Sequence, residues 1–277
     1  VLDRKTGRVS VLAPERDGML EYELVRLIAQ LDDPAPPKIA VISSLPQLQG
    51  DGAGEGDAFV LREMRRAFEI APVDADFRAL PAGADILLIV HPAPLNDWQL
   101  YLVDQFLLQK GRAFIALDPV SRVALATGGP RVVMASNLGP VLATLGVSFD
   151  GQVAADRALG LPVEVDAGAG RRSVEGQPLF IAAPRALMSN SDAVTSDLSR
   201  AINFGAAGRL VQIKVAGLTF TPLVETTDRA GVFPAAQAAL DPSPRAVVAG
   251  MKPGGGAQIL AARVSGDLGT AYPGGAP

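Results

Sequence analysis

Cysteine is absent from the 277 residues, which removes disulfides, thiolate metal ligands and thiol nucleophiles in one step. It does not by itself fix the compartment, because exported chains also do without cysteine. Histidine and tryptophan occur once each, as His91 and Trp98. A lone histidine excludes a multi-histidine metal site within one chain. Aromatic residues make up only 5%, so a core has to be assembled from Ala, Val, Leu and Ile. Basic clusters are missing as well: 25 Lys and Arg are scattered against 29 Asp and Glu, for a net charge of −4. Nothing in that distribution attracts a phosphate backbone, and no nucleic-acid partner is expected. No apolar run reaches the ~18–20 residues that span a bilayer, and no signal-peptide pattern is visible. The chain opens on Val1 rather than Met, which reads as an excised or processed piece.

What is present is a folding composition, 48% hydrophobic and 19% charged, with enough length for one large domain or two small ones. Leu20, Leu24, Leu27, Ile28 and Leu31 recur at three- and four-residue steps, an amphipathic helix that "DDPAPP" (32–37) stops. Lys38–Ser43, Asp85–Val90 and Ala113–Leu117 are short apolar runs bounded by turn formers. They read as strands buried on both faces, alternating with helices over 58–68, where Phe59, Met64, Ala67 and Phe68 are the expected inward residues, and over Asp97–Lys110. That alternation predicts a parallel sheet covered on both sides. Asn96 and Gln99 form a capping-box pattern ahead of the second helix, and Gly111 stands where a left-handed residue ends it. Past residue 125 the pattern loosens. Residues 136–147 look helical, Gly, Asp and Arg dominate 150–176, and extended segments return at 210–215, 218–223, 246–249 and 258–264. The expected organisation is an N-terminal segment (1–35) and a single α/β domain (36–277), with a subdivision near 125–150 left open.

Open α/β sheets bind ligands at the carboxyl ends of their strands. Ser43 and Ser44, His91 and Asp118 stand at three such ends and are the candidate ligand- or partner-binding residues. A Ser-His-Asp arrangement could draw on His91, Asp118 and Ser43, Ser44 or Ser121, yet no G-x-S-x-G elbow occurs anywhere. The glycine-rich loop 50–56 lacks the Gly-Lys-Ser/Thr ending of a phosphate-binding loop, and the aspartates do not follow a calcium-loop spacing. "TGGP" (127–130) is a turn. No cofactor and no metal site are expected.

The segments "EYELVRLIAQLDDPAPPKIAVISSLPQ", "ADILLIVHPAPLNDWQLYLVDQFLLQKGRAFIALDPVSR", "INFGAAGRL", "LTFTPLVETTDRAG" and "ARVSGDLGTAYPGGAP" resemble, in this order, the GldG-like auxiliary components of ABC-type transport systems related to gliding motility. The resemblance implies a non-catalytic extracytoplasmic (periplasmic) domain tethered to the inner membrane by helices outside this sequence. It would act by protein or ligand recognition on the membrane subunits of an ABC transporter, or on a cell-envelope ligand. It also implies a flavodoxin-like sheet, similar to class I glutamine amidotransferases, with helices on both faces and extra β-strands in the C-terminal half. The amidotransferase nucleophile would fall at the end of "RAFIAL", where this chain has Asp118. The alternative is a hydrolase or carbohydrate-processing enzyme using His91 and Asp118.

Overall fold

Four short strands pair in parallel and place the first layer of the protein. In the computed structural model, which describes residues 36–50, 54–127, 134–166, 168 and 170–277, these are β1 (Lys38–Ser43), β2 (Glu69–Pro72), β3 (Ile86–Val90) and β4 (Ala113–Ala116). They lie in the order β2-β1-β3-β4. The expected helix over 20–31, part of the 50–56 loop and most of the 127–130 turn lie outside the described residues. Three strands match the apolar runs within a residue or two. β2 is announced by no such run, being four residues that end in Pro72 at a sheet edge, where a missing amide is tolerated.

Side chains alternate across this sheet and feed two separate cores. Ala40, Ile42, Leu87 and Ile89 point to one face and pack with Leu100, Val103, Phe106 and Leu107 of α2 (Asp97–Lys110). Ile39, Val41 and Leu88 point to the other, where Leu61 of α1 (Phe59–Met64) is fully buried among them. Helices therefore cover both faces. α2 forms as its sequence demands: the Asn96 side chain accepts from the Gln99 amide at 2.9 Å, Gln99 returns the bond at 3.0 Å, and Gly111 closes the helix at φ +64°. Trp98 is 40% exposed, with its indole N–H donating to the Arg78 carbonyl at 3.0 Å and its ring tilted on Tyr101.

Two expectations for the helices need correction. α1 spans six residues rather than eleven, and Phe59 is 68% exposed while Leu61 is driven inward; Met64 and Phe68 pack against the same core as expected. Residues 246–249 are not a strand but part of α6 (Pro244–Gly250), because Ser243 caps the Ala246 amide at 3.3 Å and Pro244 sets the first turn.

The C-terminal half is antiparallel and richer in strands than its Gly, Asp and Arg content suggests. A six-stranded sheet runs β10-β13-β9-β5-β11-β12, from β5 (Val147–Ala155), β9 (Gly208–Gln212), β10 (Leu218–Glu225), β11 (Gly231–Pro234), β12 (Lys252–Pro253) and β13 (Ile259–Gly266). A three-stranded sheet runs β6-β7-β8, from β6 (Gly160–Asp166), β7 (Arg172–Ala183) and β8 (Ile202–Gly205). The looseness expected over 150–176 is thus wrong. β6 and the first half of β7 alternate toward solvent, and Leu179, Ile181 and Ala183 of β7 enter the core with Phe180 packed beside them. The remaining helices are short: α3 (Arg122–Thr127), α4 (Pro140–Thr144) and α5 (Ala235–Ala238).

Named contacts tie the two halves together. Arg122 pairs with Asp241 at 2.8 Å and stacks over Phe180. The chain after β13 returns to α2, where the buried Asp104 accepts from the Thr270 hydroxyl at 2.7 Å and the Ala271 amide at 2.8 Å. Tyr272 meets Tyr101 edge-on there.

Candidate functional site

The carboxyl edge of the parallel sheet brings His91 and Asp118 together, with a serine that the sequence does not single out. His91 is the first residue past β3 and adopts φ +45°. That left-handed conformation is uncommon for a residue with a side chain, although histidine visits it more often than most. Its backbone is held from both sides. The amide donates to the Ala116 carbonyl at 2.9 Å, and its carbonyl accepts from the Ser44 amide at 3.1 Å and the Ser44 hydroxyl at 2.6 Å. His91 thereby ties the ends of β1 and β4 across β3. These three bonds offset the ~1–2 kcal/mol that a left-handed residue costs.

The imidazole is wholly buried. Its Nδ1 lies 3.2 Å from the Ser136 hydroxyl and 3.6 Å from Asp118 Oδ2. Ser136, itself buried, accepts the Asp118 amide at 2.9 Å, and its own amide donates to the Asp118 carbonyl at 2.9 Å. A hydroxyl whose lone pair is taken by an amide still has its proton to give. The Ser136 hydroxyl and His91 Nδ1 thus pair with each other, the donor being set by the tautomer of the ring. Asp118 is partly exposed, and burial of its carboxyl holds it above the ordinary carboxylate range; the nearby His91 pulls weakly the other way.

Ser43 does not join this group. Its hydroxyl accepts the Leu45 amide at 3.1 Å and serves the turn into the 3-10 segment Pro46–Leu48. Ser121 is buried with its hydroxyl on the Ala124 amide at 3.2 Å, in the first turn of α3. Ser136 was hidden because it lies 45 residues from His91, inside a stretch that reads as the start of a helix. Only the β3–β4 closure makes them neighbours.

A Ser-His-Asp triad places the carboxylate on one ring nitrogen and the nucleophile on the other, so that a proton passes through the ring. Here serine and aspartate face the same Nδ1, and the serine oxygen is already bonded to an amide. The arrangement ties Asp118 and Ser136 to the end of β3. Among the described residues no group of three or more His, Asp or Glu converges in a way that could hold a metal ion.

Two concavities lie elsewhere. A groove of about 720 Å³ runs between Met188, Ser189 and Ser191 on one side and Leu223, Glu225 and Asp228 on the other. A cleft of about 360 Å³ opens between Gly146 and the turn carrying Lys214 and Val215. Neither contains a candidate residue from the sequence. No helix among the described residues is long and apolar enough to cross a membrane.

Searches of curated proteins and of solved structures find no match. A family model described as an ABC-type uncharacterized transport system matches residues 36–277, from the first described residue before β1 to the end of the chain. With all three sheets inside that match, the chain belongs to the family of auxiliary components of ABC-type transport systems.

Proposed function

We propose that this is a non-catalytic, extracytoplasmic domain of a GldG-like auxiliary subunit, held at the inner membrane by helices outside the sequence. It contributes a recognition surface to a membrane-bound ABC transporter. The family match over 36–277 carries this reading. Its physical support is the state of the sheet's carboxyl edge. In a flavodoxin-like sheet, which the β2-β1-β3-β4 order suggests, that edge is the place for chemistry. Here the one histidine is consumed as an internal brace, and what the edge presents outward is the Asp118 carboxylate beside exposed Met134, Ala135 and Asn137. The Asp104 and Arg122 contacts between the halves support residues 36–277 acting as one unit.

The partner surface is tested by site-directed crosslinking from Asn137 in the intact transporter. A membrane subunit of the transporter should be captured, and capture should weaken when Asp118 is replaced by Lys. If no membrane protein of the transporter is captured from Asn137, the recognition edge is misplaced.

The proximity of His91 Nδ1 to Ser136 and Asp118, 3.2 and 3.6 Å, favours one second reading, a hydrolase acting on a cell-envelope ester or glycoside. It requires His91 to gain a substrate-facing nitrogen. Ester or glycoside turnover by the purified domain that disappears in both Ser136→Ala and Asp118→Asn would establish it.

A further inference from the structure

From Leu210 to Val224, through the turn that joins β9 to β10, the chain carries a single charged residue, Lys214. Yet much of this stretch faces water. Val211 is 39% exposed and Ile213 40%, Lys214 and Ala216 are exposed, and Val215, Leu218 and Phe220 are half-buried along the cleft beside Gly146. Single apolar residues at a surface are ordinary, but a contiguous group marks a contact site. The backbone holds the group outward. The Ile213 amide donates to the Gly146 carbonyl at 2.8 Å, the Leu218 amide to the Val215 carbonyl at 3.3 Å, and the Asp267 amide to the Gly217 carbonyl at 3.2 Å. Gly146, at φ +70°, lets the turn approach the end of α4: a Cβ there would lie 2.9 Å from the Ile213 carbonyl.

We propose that this turn is a membrane-contact site: its apolar side chains enter the interfacial layer of an anionic phospholipid bilayer, and Lys214 reaches the phosphates. Three observations select a lipid surface. The first is charge. Lys214 has no ion-pair partner among the described residues, and its aliphatic stem can lie along apolar surface while the ammonium stays at phosphate level. Asp267, beside the turn, makes no ion pair with it. The second is area. β9 and β10 flank β13, so their connection crosses one strand, about 10 Å. A patch of that width falls far below the ~800 Å² that each partner of a stable protein interface buries, whereas a shallow insertion needs only a few apolar side chains. The third is context: the chain belongs to a family serving ABC-type transport systems, which are membrane-bound. With a net charge of −4 the protein has no global attraction to an anionic surface, so the apolar group supplies the affinity and Lys214 the orientation. The inference rests on that family membership and not on the recognition edge at Asp118.

A chain with one tryptophan makes the test direct. Trp98→Phe removes it, and in that background Ile213→Trp places a single reporter in the turn. Leu240→Trp places one at an 80%-exposed residue outside it. Affinity should lie below the ~10⁴ M⁻¹ of one myristoyl chain, so vesicles are used at ~1 mM lipid. They consist of phosphatidylethanolamine with about 30% phosphatidylglycerol, an anionic surface. The parent chain should float with these vesicles. Emission from Ile213→Trp should shift to the blue and be quenched by lipids brominated high on the acyl chain, and emission from Leu240→Trp should do neither. Ile213→Asp should weaken flotation about tenfold or more, as expected when a charge replaces an inserted apolar group, while Ile213→Leu retains it and dichroism of both matches the parent. Lys214→Gln should cost about fivefold on the anionic vesicles, the worth of one basic residue near such a surface, and nothing on phosphatidylcholine alone. A parent chain that does not float, equal emission changes at positions 213 and 240, or parent-like flotation of Ile213→Asp would each overturn the site. Equal losses for Lys214→Gln on both vesicle types would overturn the role of Lys214. A failed crosslink from Asn137 bears only on the recognition edge.

Discussion

Ser136→Ala isolates the brace at the sheet edge. The substitution removes one oxygen and leaves two buried groups without their partner: the Asp118 amide, bonded at 2.9 Å, and His91 Nδ1, at 3.2 Å. A buried polar group stripped of its partner costs about 1–3 kcal/mol. Asp118 is partly exposed and water can reach its amide, so a sum near 2–4 kcal/mol follows for the pair. Unfolding entropy of ~2.1 cal/mol/K per residue amounts to ~0.6 kcal/mol/K over this chain, so the loss appears as a drop of roughly 3–7 °C in Tm. Trp98, the only tryptophan, sits on α2 and reports the parallel half by fluorescence, while dichroism reports both halves. Coincident transitions validate a single free energy. The cycle with His91→Gly sharpens the result, because glycine takes the left-handed backbone without strain and removes the imidazole together with its δ nitrogen. In that background Ser136→Ala should lose about 1 kcal/mol less, a coupling typical of directly contacting groups. A Ser136→Ala change within about 0.5 kcal/mol of the parent, the range of ordinary surface substitutions, would refute the brace.

Three further outcomes follow from contacts described above. Leu61→Ala should destabilise by about 2–5 kcal/mol in chemical denaturation, while Phe59→Ala on the same helix should stay within about 0.5 kcal/mol; equal effects would show that the helix phase is wrong. Asp104→Ala removes a buried carboxylate from the Thr270 hydroxyl and the Ala271 amide; it should lower stability by roughly 2–3 kcal/mol and make the chain after Gly266 the first site of limited proteolysis. Acid titration should separate two aspartates of opposite sign. Burial raises Asp118 above its ordinary 3.8, so the folded state holds that proton more tightly and its contribution declines as pH rises from about 3.8 through the folded value. The Val194 amide and then Arg263 lower Asp192, so its contribution is present above about 3.8 and is lost as pH falls through the folded value. Asp118→Asn should therefore gain on the parent between about pH 4 and pH 7, whereas Asp192→Asn should lose; parallel pH profiles for both variants would contradict the assignment.

Local signals and long-range closure divide what the sequence could show. The strands over 38–43, 86–90 and 113–116 were legible because both faces are buried, which leaves a continuous apolar run with clear ends. α2 was legible because its caps are local, Asn96 with Gln99 and then Gly111. β5 to β8 were not: β6 and β7 pair locally from Asp166 with Arg172, but polar residues and glycines interrupt their apolar pattern, while β5 pairs with β9 and β11 far along the chain. The site divides the same way. His91 and Asp118 could be placed at one edge from strand ends alone, whereas Ser136 depends on how the segment after α3 folds back. Ser43 stands at the same edge, with its hydroxyl accepting the Leu45 amide of the turn that follows.

Why a histidine stands at position 91 then has a physical answer that needs no catalysis. The position makes two demands at once, a backbone at φ +45° and a side chain that meets Ser136 with a polar atom while filling a space closed to water. Glycine meets the first without strain but leaves the Ser136 hydroxyl facing a void. Asparagine also tolerates the left-handed region and its Oδ1 stands as far along the side chain as Nδ1, yet it leaves the room of the outer ring atoms empty in a buried site. Leucine or valine fills the volume but strains the backbone and strands the hydroxyl. Histidine satisfies both demands, being enriched among left-handed residues and carrying a nitrogen that accepts when the ring is neutral. The rarity of histidine in this chain thus marks a position with two simultaneous constraints. On the same grounds, the outward chemistry of the edge rests with Asp118.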